Sequence, residues 1–371
     1  LDRITHIQDD ITHDGIKILC TFAIEINNLI IAITMNKRTT IFSARLLSTC
    51  MASLFMIPSC SSNEPQYPEI NNKDNNKEEK TVLTEADPTI FRDTDGTYYL
   101  YGTGAQSDKG FYVYQSKDLK EWSGPVGKEN GFCLTSGTSF GTTGFWAPQV
   151  AKRGNTYYMF YTANEQIAVA TASSPLGPFS QPNKQMIQAP CKTIDPYVLF
   201  DNDGKVYLYH VRLQNGNRIY VAEMTDDLSS IKEETAKECI SASLPWEDTE
   251  QVAWKVTEGP TVLHIGDTYY MFYSANDFRN IDYAVGIATA DNPYGPWTKL
   301  NAPIISRTNI GYYGTGHGDA FLDDAGKWKY VFHTHQSFTE VAPRKTALVG
   351  LNFKNGSFTI EENTFTYLYK K

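Results

Sequence analysis

The sequence predicts an all-β chain closed as a five-bladed β-propeller, with four antiparallel strands per blade, and three observations carry that prediction. Five aromatic stretches share one pattern: TYYLYGT from Thr97, TYYMFYT from Thr156, KVYLYHV from Lys205, TYYMFYS from Thr268 and KWKYVFH from Lys327. Their starts are 59, 49, 63 and 59 residues apart, the spacing of whole supersecondary units rather than of single strands. A turn pair sits just ahead of each stretch: Asp95-Gly96, Gly154-Asn155, Asp203-Gly204, Gly266-Asp267 and Ala325-Gly326. Such pairs mark short hairpins.

Within each unit the elements follow one order. A short apolar segment comes first: TIF at 89–91, QVA at 149–151, YVLF at 197–200, TVLH at 261–264 and AFL at 320–322. The turn follows, and then the aromatic strand, whose Tyr98, Tyr157, Tyr207 and Tyr269 are expected to pack between blades rather than touch a ligand. A loop leads to a third strand, FYVYQS, IAVATA, RIYVAE, AVGIATA or TALVGL. Turn-rich pieces such as SSPLGPF and DNPYGPW then lead to weaker outer strands. Four strands repeated radially make a propeller.

The repeats occupy residues 81–371, expected to form one catalytic domain. A formal charge of −9 without a basic stripe excludes a nucleic-acid partner, and a neutral carbohydrate fits better. A monomer is expected. The first eighty residues are of another kind. From Met35, Lys37, Arg38 and Arg45 precede an apolar run from Leu46 to Ile57, which is signal-peptide organisation and too short for a membrane span. The run ends in Ile57-Pro58-Ser59-Cys60, which resembles the lipobox of bacterial lipoproteins. That resemblance implies a signal peptide over 35–59, lipidation of Cys60, and an exported protein held at the cell envelope through a lipid anchor alone. Residues 60–80 read as a disordered tether, and 1–34 as translation upstream of a true start at Met35. Cys133, Cys191 and Cys239 lack the spacing of a disulfide framework or a zinc site.

Ten residues ahead of each aromatic stretch stand Asp87, Trp146, Asp195, Glu258 and His317. Equivalent positions in a radial repeat point at one axis, so three carboxylates, an indole and an imidazole are expected to share one cavity. An acidic residue beside a proline is a common turn former; the shared phase of Asp87-Pro88, Asp195-Pro196 and Glu258-Gly259-Pro260 is what singles these out. Carboxylates facing one cavity suit glycoside hydrolysis, in which one gives a proton to the leaving oxygen and another activates water. Crowding raises at least one of their pKa values, and Trp146 offers a flat wall for a sugar ring. The loops between second and third strands hold Asn164, Arg212, Asn276, Asp277, Arg279, His335 and Arg344. They return to the same face, as do inter-blade loops 129–146 and 231–257 with Phe145, Trp246 and Trp254.

The set ADPTIF, FWAPQV, IDPYVLF, TEGPTVL and GTGHGDAF resembles glycoside hydrolase family 43 across 81–371. The resemblance implies a five-bladed propeller and hydrolysis with inversion, with Asp87 as general base, Glu258 as general acid and Asp195 as modulator of the acid. It implies His317 as ligand of a hydrated Ca2+ ion on the axis, with no cofactor required, and Arg344 near the substrate. Trp146, Phe145 and His335 complete the expected substrate contacts. One departure is Gln149, after Trp146-Ala147-Pro148, which bears on a subsite and not on the triad. The expected activity is that of an α-L-arabinofuranosidase or β-xylosidase. An endo-acting arabinanase, xylanase or galactanase of the same fold, and a non-catalytic glycan-binding propeller, are the alternatives. Inversion requires the two reacting carboxyls to stand roughly 6.5–9.5 Å apart. The motifs of retaining, invertase-like propellers are missing.

Overall fold

The computed structural model describes residues 80–371; the readings of 1–34, of the signal peptide 35–59, of Cys60 and of the tether up to residue 79 lie outside the described residues. Five blade sheets follow one another along the chain. Their innermost strands are Ala86–Arg92, Trp146–Arg153, Thr193–Phe200, Thr257–Ile265 and Gly316–Leu322. Each inner strand touches the next, and the last touches the first, which closes the ring. The aromatic stretches are the second strands, Tyr98–Thr103, Thr156–Ala163, Val206–Leu213, Thr268–Ala275 and Trp328–Thr334. The expected third strands follow as Tyr114–Ser116, Gln166–Ala172, Asn217–Glu223, Ala284–Ala290 and Lys345–Lys354.

Blades three to five carry a fourth strand, Lys237–Ile240, Thr298–Lys299 and Ser357–Ile360. In the first two blades the regular sheet stops at three strands, and single bridges, Gln115 to Ser123 and Thr171 to Ser180, hold the outer edge. Pro125 and Pro178 stand beside those bridges and have no N–H with which to lengthen a ladder.

The aromatic alternation packs blade against blade. Tyr157, Met159 and Tyr161 of blade two pack with Tyr99 and Tyr101 of blade one. Phe160, on the opposite face of the same strand, packs with Val198 and Leu208 of blade three. Period-2 strands buried on both faces are therefore apolar on both faces. At the seam of the ring, Thr81–Val82 pairs with Tyr369–Lys370, which in turn lies parallel to Glu121–Trp122.

Each inner strand begins with a β-bulge. The register slips between Ala86 and Thr89, Trp146 and Gln149, Ile194 and Tyr197, Glu258 and Thr261, and Gly316 and Asp319. The extra residue is left-handed in every blade: Asp87 (φ 47°), Ala147 (46°), Asp195 (56°), Gly259 (56°) and His317 (45°). Trp146 and Glu258 therefore stand one residue earlier in their blades than Asp87, Asp195 and His317 do in theirs, which corrects the equal spacing read from the sequence. The reason is the hairpin: Arg153 pairs with Thr156 and Ile265 with Thr268 across two-residue turns, whereas the other three blades use five-residue turns. A one-residue slip would turn a side chain to the other face in a regular strand, but a bulge presents two neighbours on one side. Proline follows in four of the five bulges, so the irregular ladder leaves no N–H unpaired there.

Candidate active site

Left-handed backbone at a non-glycine residue costs on the order of 1 kcal/mol or more, and here each bulge is held by the preceding blade. Ala147 donates its N–H to Thr103 Oγ1 (3.0 Å), Asp195 to Thr162 Oγ1 (3.0 Å), His317 to Ser274 Oγ (2.8 Å) and Asp87 to His333 Nδ1 (3.1 Å). Blade three has Val211 at the matching place, opposite Ile194. Gly259 N–H goes instead to Asp195 Oδ2 at 3.2 Å. That departure ties the Asp195 carboxylate to the segment carrying Glu258. A side chain at 259 is excluded, because its Cβ would lie 2.8 Å from the His317 ring.

Above the bulges lies a cavity of about 480 Å³, lined by Asp87, Trp146, Glu165, Ile194, Asp195, Leu213, Asn217, Trp254, Val256, Glu258, Asp277, Phe278, Arg279, His317 and Arg344. Its floor is nearly closed: between the prolines 88, 148, 196 and 260 only about 20 Å³ remains. All five sequence-predicted axial residues meet here.

Asp87 is buried, which alone would raise its pKa, but Arg344, His317, His333 and Thr103 outweigh burial and hold it well below the carboxylate range. Arg344 donates to both of its oxygens, at 2.8 and 3.4 Å. Glu258 moves the other way. Burial foremost, with the charge of Asp87 and against the donors Tyr283 and Asn217, raises its pKa. Asp195 is raised by burial and by the charges of Glu258 and Asp87. One carboxyl is thus kept ionised and another kept protonated in a single cavity, the electrostatic division that separates a base from an acid.

Burial depresses the His317 imidazole, whose Nδ1 lies 3.4 Å from Asp87 Oδ1 and 3.9 Å from Asp195 Oδ2. Among the described residues no group of three or more His, Cys, Asp or Glu side chains is arranged to hold a metal ion. A neutral His317 offers a hydrated ion one nitrogen, with two carboxylates near enough to hold its waters. Such an ion would add positive charge at the cavity floor.

Two expected substrate contacts are corrected. Phe145 is fully buried and packs against Phe111 and Tyr161 in the blade-one core; an apolar ring at the end of a loop found a core to fill. His335 is 4% exposed and absent from the cavity wall, with Nε2 2.7 Å from the Phe278 carbonyl. It supports the Phe278 loop from beneath. Trp246 packs on Tyr273 instead of facing the cavity, and Arg212 pairs with Glu233. Sequence reasoning did not find Asn217, Tyr283 and His333. Each acts from a neighbouring strand end, and none carries a motif.

The family model described as Glycosyl hydrolases family 43 matches residues 81–358. Among solved structures, the chain is similar to an endo-1,4-beta-xylanase from Bacteroides thetaiotaomicron VPI-5482, with 41% identity, 80% of this chain and 100% of that one covered, and a TM-score of 0.73. It is also similar to a thermostable family-43 glycoside hydrolase, with 34% identity, coverages of 76% and 94%, and a TM-score of 0.68. A xylosidase/arabinosidase of Bacteroides ovatus is 27% identical over 67% of this chain and 85% of that protein. With the bulged propeller, the divided carboxyls and a family match over three quarters of its length, the chain belongs to glycosyl hydrolase family 43 and is a glycosidase.

Proposed function

We propose that this glycosidase removes terminal α-L-arabinofuranosyl or β-xylosyl residues from plant polysaccharides or their oligosaccharides, with inversion. The observation that carries the reading is the opposite displacement of Asp87 and Glu258 in a cavity closed at its floor. Asp87 takes a proton from water, which attacks the anomeric carbon. Glu258 gives its proton to the glycosidic oxygen as that oxygen leaves with the bonding pair. Both oxygens of Asp87 are engaged by Arg344, which fixes the carboxylate and keeps it ionised. Asp195, hydrogen-bonded to Gly259 N–H, ties itself to the segment that carries the acid and holds the acid's orientation. Trp146 supplies a sugar-facing wall.

The second reading, endo action on xylan, is favoured by the name of the 41%-identical structure. Incubation with p-nitrophenyl α-L-arabinofuranoside and β-xyloside, beside arabinan, arabinoxylan and xylan, separates the two. Monosaccharide release from an aryl glycoside supports exo action; oligosaccharides from a polymer with silence on both aryl glycosides supports the endo reading. Export and lipidation at Cys60 belong to the same proposal. A relative from Streptomyces chartreusis, 25% identical over 71% of this chain and 84% of that protein, is named as an extracellular exo-arabinofuranosidase. Cys60→Ser is expected to release the protein from membranes, and continued membrane fractionation would refute the anchor.

A further inference from the structure

Glu258 holds its carboxyl between two donors. Tyr283 O–H reaches Oε1 at 2.8 Å, and Asn217 Nδ2–H reaches Oε2 at 2.9 Å. The Asn217 amide is in turn fixed from behind, because Trp254 Nε1 lies 2.8 Å from its Oδ1. An indole N–H can only donate, so the amide atom facing it is the oxygen, and the atom facing Glu258 is the N–H. The backbone builds this contact. Asn217 N–H donates to Lys255 O at 2.8 Å, and Thr257 Oγ1 donates to Asn217 O at 3.1 Å. Trp254 is nonetheless 50% exposed and lines the cavity beside Leu213 and Val256. A large ring anchored at its polar end and open on its face is built to be covered.

We propose that Trp254 serves the leaving group twice: its ring is the platform for the aglycone sugar, and its N–H locks Asn217 so that the Glu258 proton is delivered to the glycosidic oxygen. The proposal rests on Glu258 being the general acid. The acid protonates the oxygen joining the two sugars, so the aglycone lies on the acid's side of the cavity. That side of the cavity carries Asn217, Trp254 and Val256 in its wall. With the amide locked, Asn217 occupies one lone pair of Oε2 as a donor and cannot receive the acid's proton. Reversed, its oxygen would accept that proton and keep it from the substrate. Trp254 is a positioning residue in this step and a contact residue for the aglycone. The other groups facing Glu258 are Asp87, Asp195, Asp277 and Arg279, and substitution at Trp254 leaves them in place.

Trp254→Phe keeps the face and removes the N–H; Trp254→Ala removes both. On an unactivated oligosaccharide the Phe variant is expected to keep KM within about twofold and lose about tenfold in kcat, while a dinitrophenyl glycoside, which needs no acid, is spared. The Ala variant is expected to raise KM as well, by about fivefold or more. Carbon-13 NMR titration of glutamate Cδ, with the Glu258 signal assigned by its loss in Glu258→Gln, reads the lock without turnover. Its midpoint is expected to rise by about one pH unit in Trp254→Phe, since an N–H that favours the charged form is lost. An unchanged midpoint, or equal kcat losses on both substrates, overturns the proposal. A shifted midpoint in a protein whose wild type cleaves no glycoside would leave the lock standing and overturn the general-acid reading instead.

Discussion

Asp87 and Glu258 show how far a single side chain's chemistry is set by what touches it. Both are buried, yet the Arg344 guanidinium, with the imidazoles of His317 and His333, holds one ionised, while burial and nearby carboxylates raise the other against its neutral donors Tyr283 and Asn217. Asp87→Asn is expected to cut kcat at least about 10³-fold, measured on the substrate identified by the panel. The fold should survive, because Asn tolerates φ near 47°. Glu258→Gln should lose at least about 10²-fold on unactivated glycosides and far less on dinitrophenyl ones. The pH profile follows with its sign. On the proposed roles, activity needs Asp87 deprotonated and Glu258 protonated, so it is expected to hold through mildly acid pH and to fall as pH rises through the raised Glu258 value. Arg344→Gln removes the main charge depressing Asp87, so the acid limb of kcat/KM is expected to move to higher pH.

At the scale of the element, the five bulges are the device that makes a site out of a sheet. A regular inner strand would alternate its side chains and could not place both Ile194 and Asp195 on the cavity wall. The carboxylates and His317 were legible in the sequence because acidic residues recurred ahead of a recurring strand. The slip of one residue at Trp146 and Glu258 was not legible, since turn length and bulge position compensate one another in a count. Thr103, Thr162, Ser274 and His333, which receive the bulge N–H groups, were equally silent. Each is an ordinary strand-end residue in one blade that acts on the next. Thr162→Val is expected to strand the buried Asp195 N–H and to destabilise the protein by about 1–3 kcal/mol in urea denaturation.

For the whole molecule, the ring closes where the first strand of the propeller meets the last, and a buried carboxyl stands at that seam. Glu85 exchanges backbone hydrogen bonds with the Thr346 hydroxyl. Its own carboxyl is pushed by burial up to about 8, against the opposing effect of Tyr114. Because the folded value lies above the ordinary 4.5, its contribution is whole below about pH 4.5 and is lost as pH rises through about 8. Glu85→Gln carries no charge to bury. It is expected to match the wild type near pH 5 and to exceed it at pH 8.5 by on the order of 4 kcal/mol, read from paired denaturation curves.

Sequence alone determined the blade count, the strand order within each blade and the acidic residues at the heads of the inner strands. These are local periodicities, repeated often enough to be read from one chain. The repeat phase pointed to Trp146, which lines the cavity, and the family resemblance to Arg344, which the fold brings against Asp87. Tertiary structure decided the rest. Phe145 went to the core and His335 beneath a loop, because which loop residues face inward depends on what the neighbouring blade leaves unfilled. Whether Asn217 and Tyr283 are spectators or the holders of Glu258 depends on hydrogen bonds across 41 and 25 residues of chain. Such pairings between single polar side chains carry no period, so only the closed ring brings them into view.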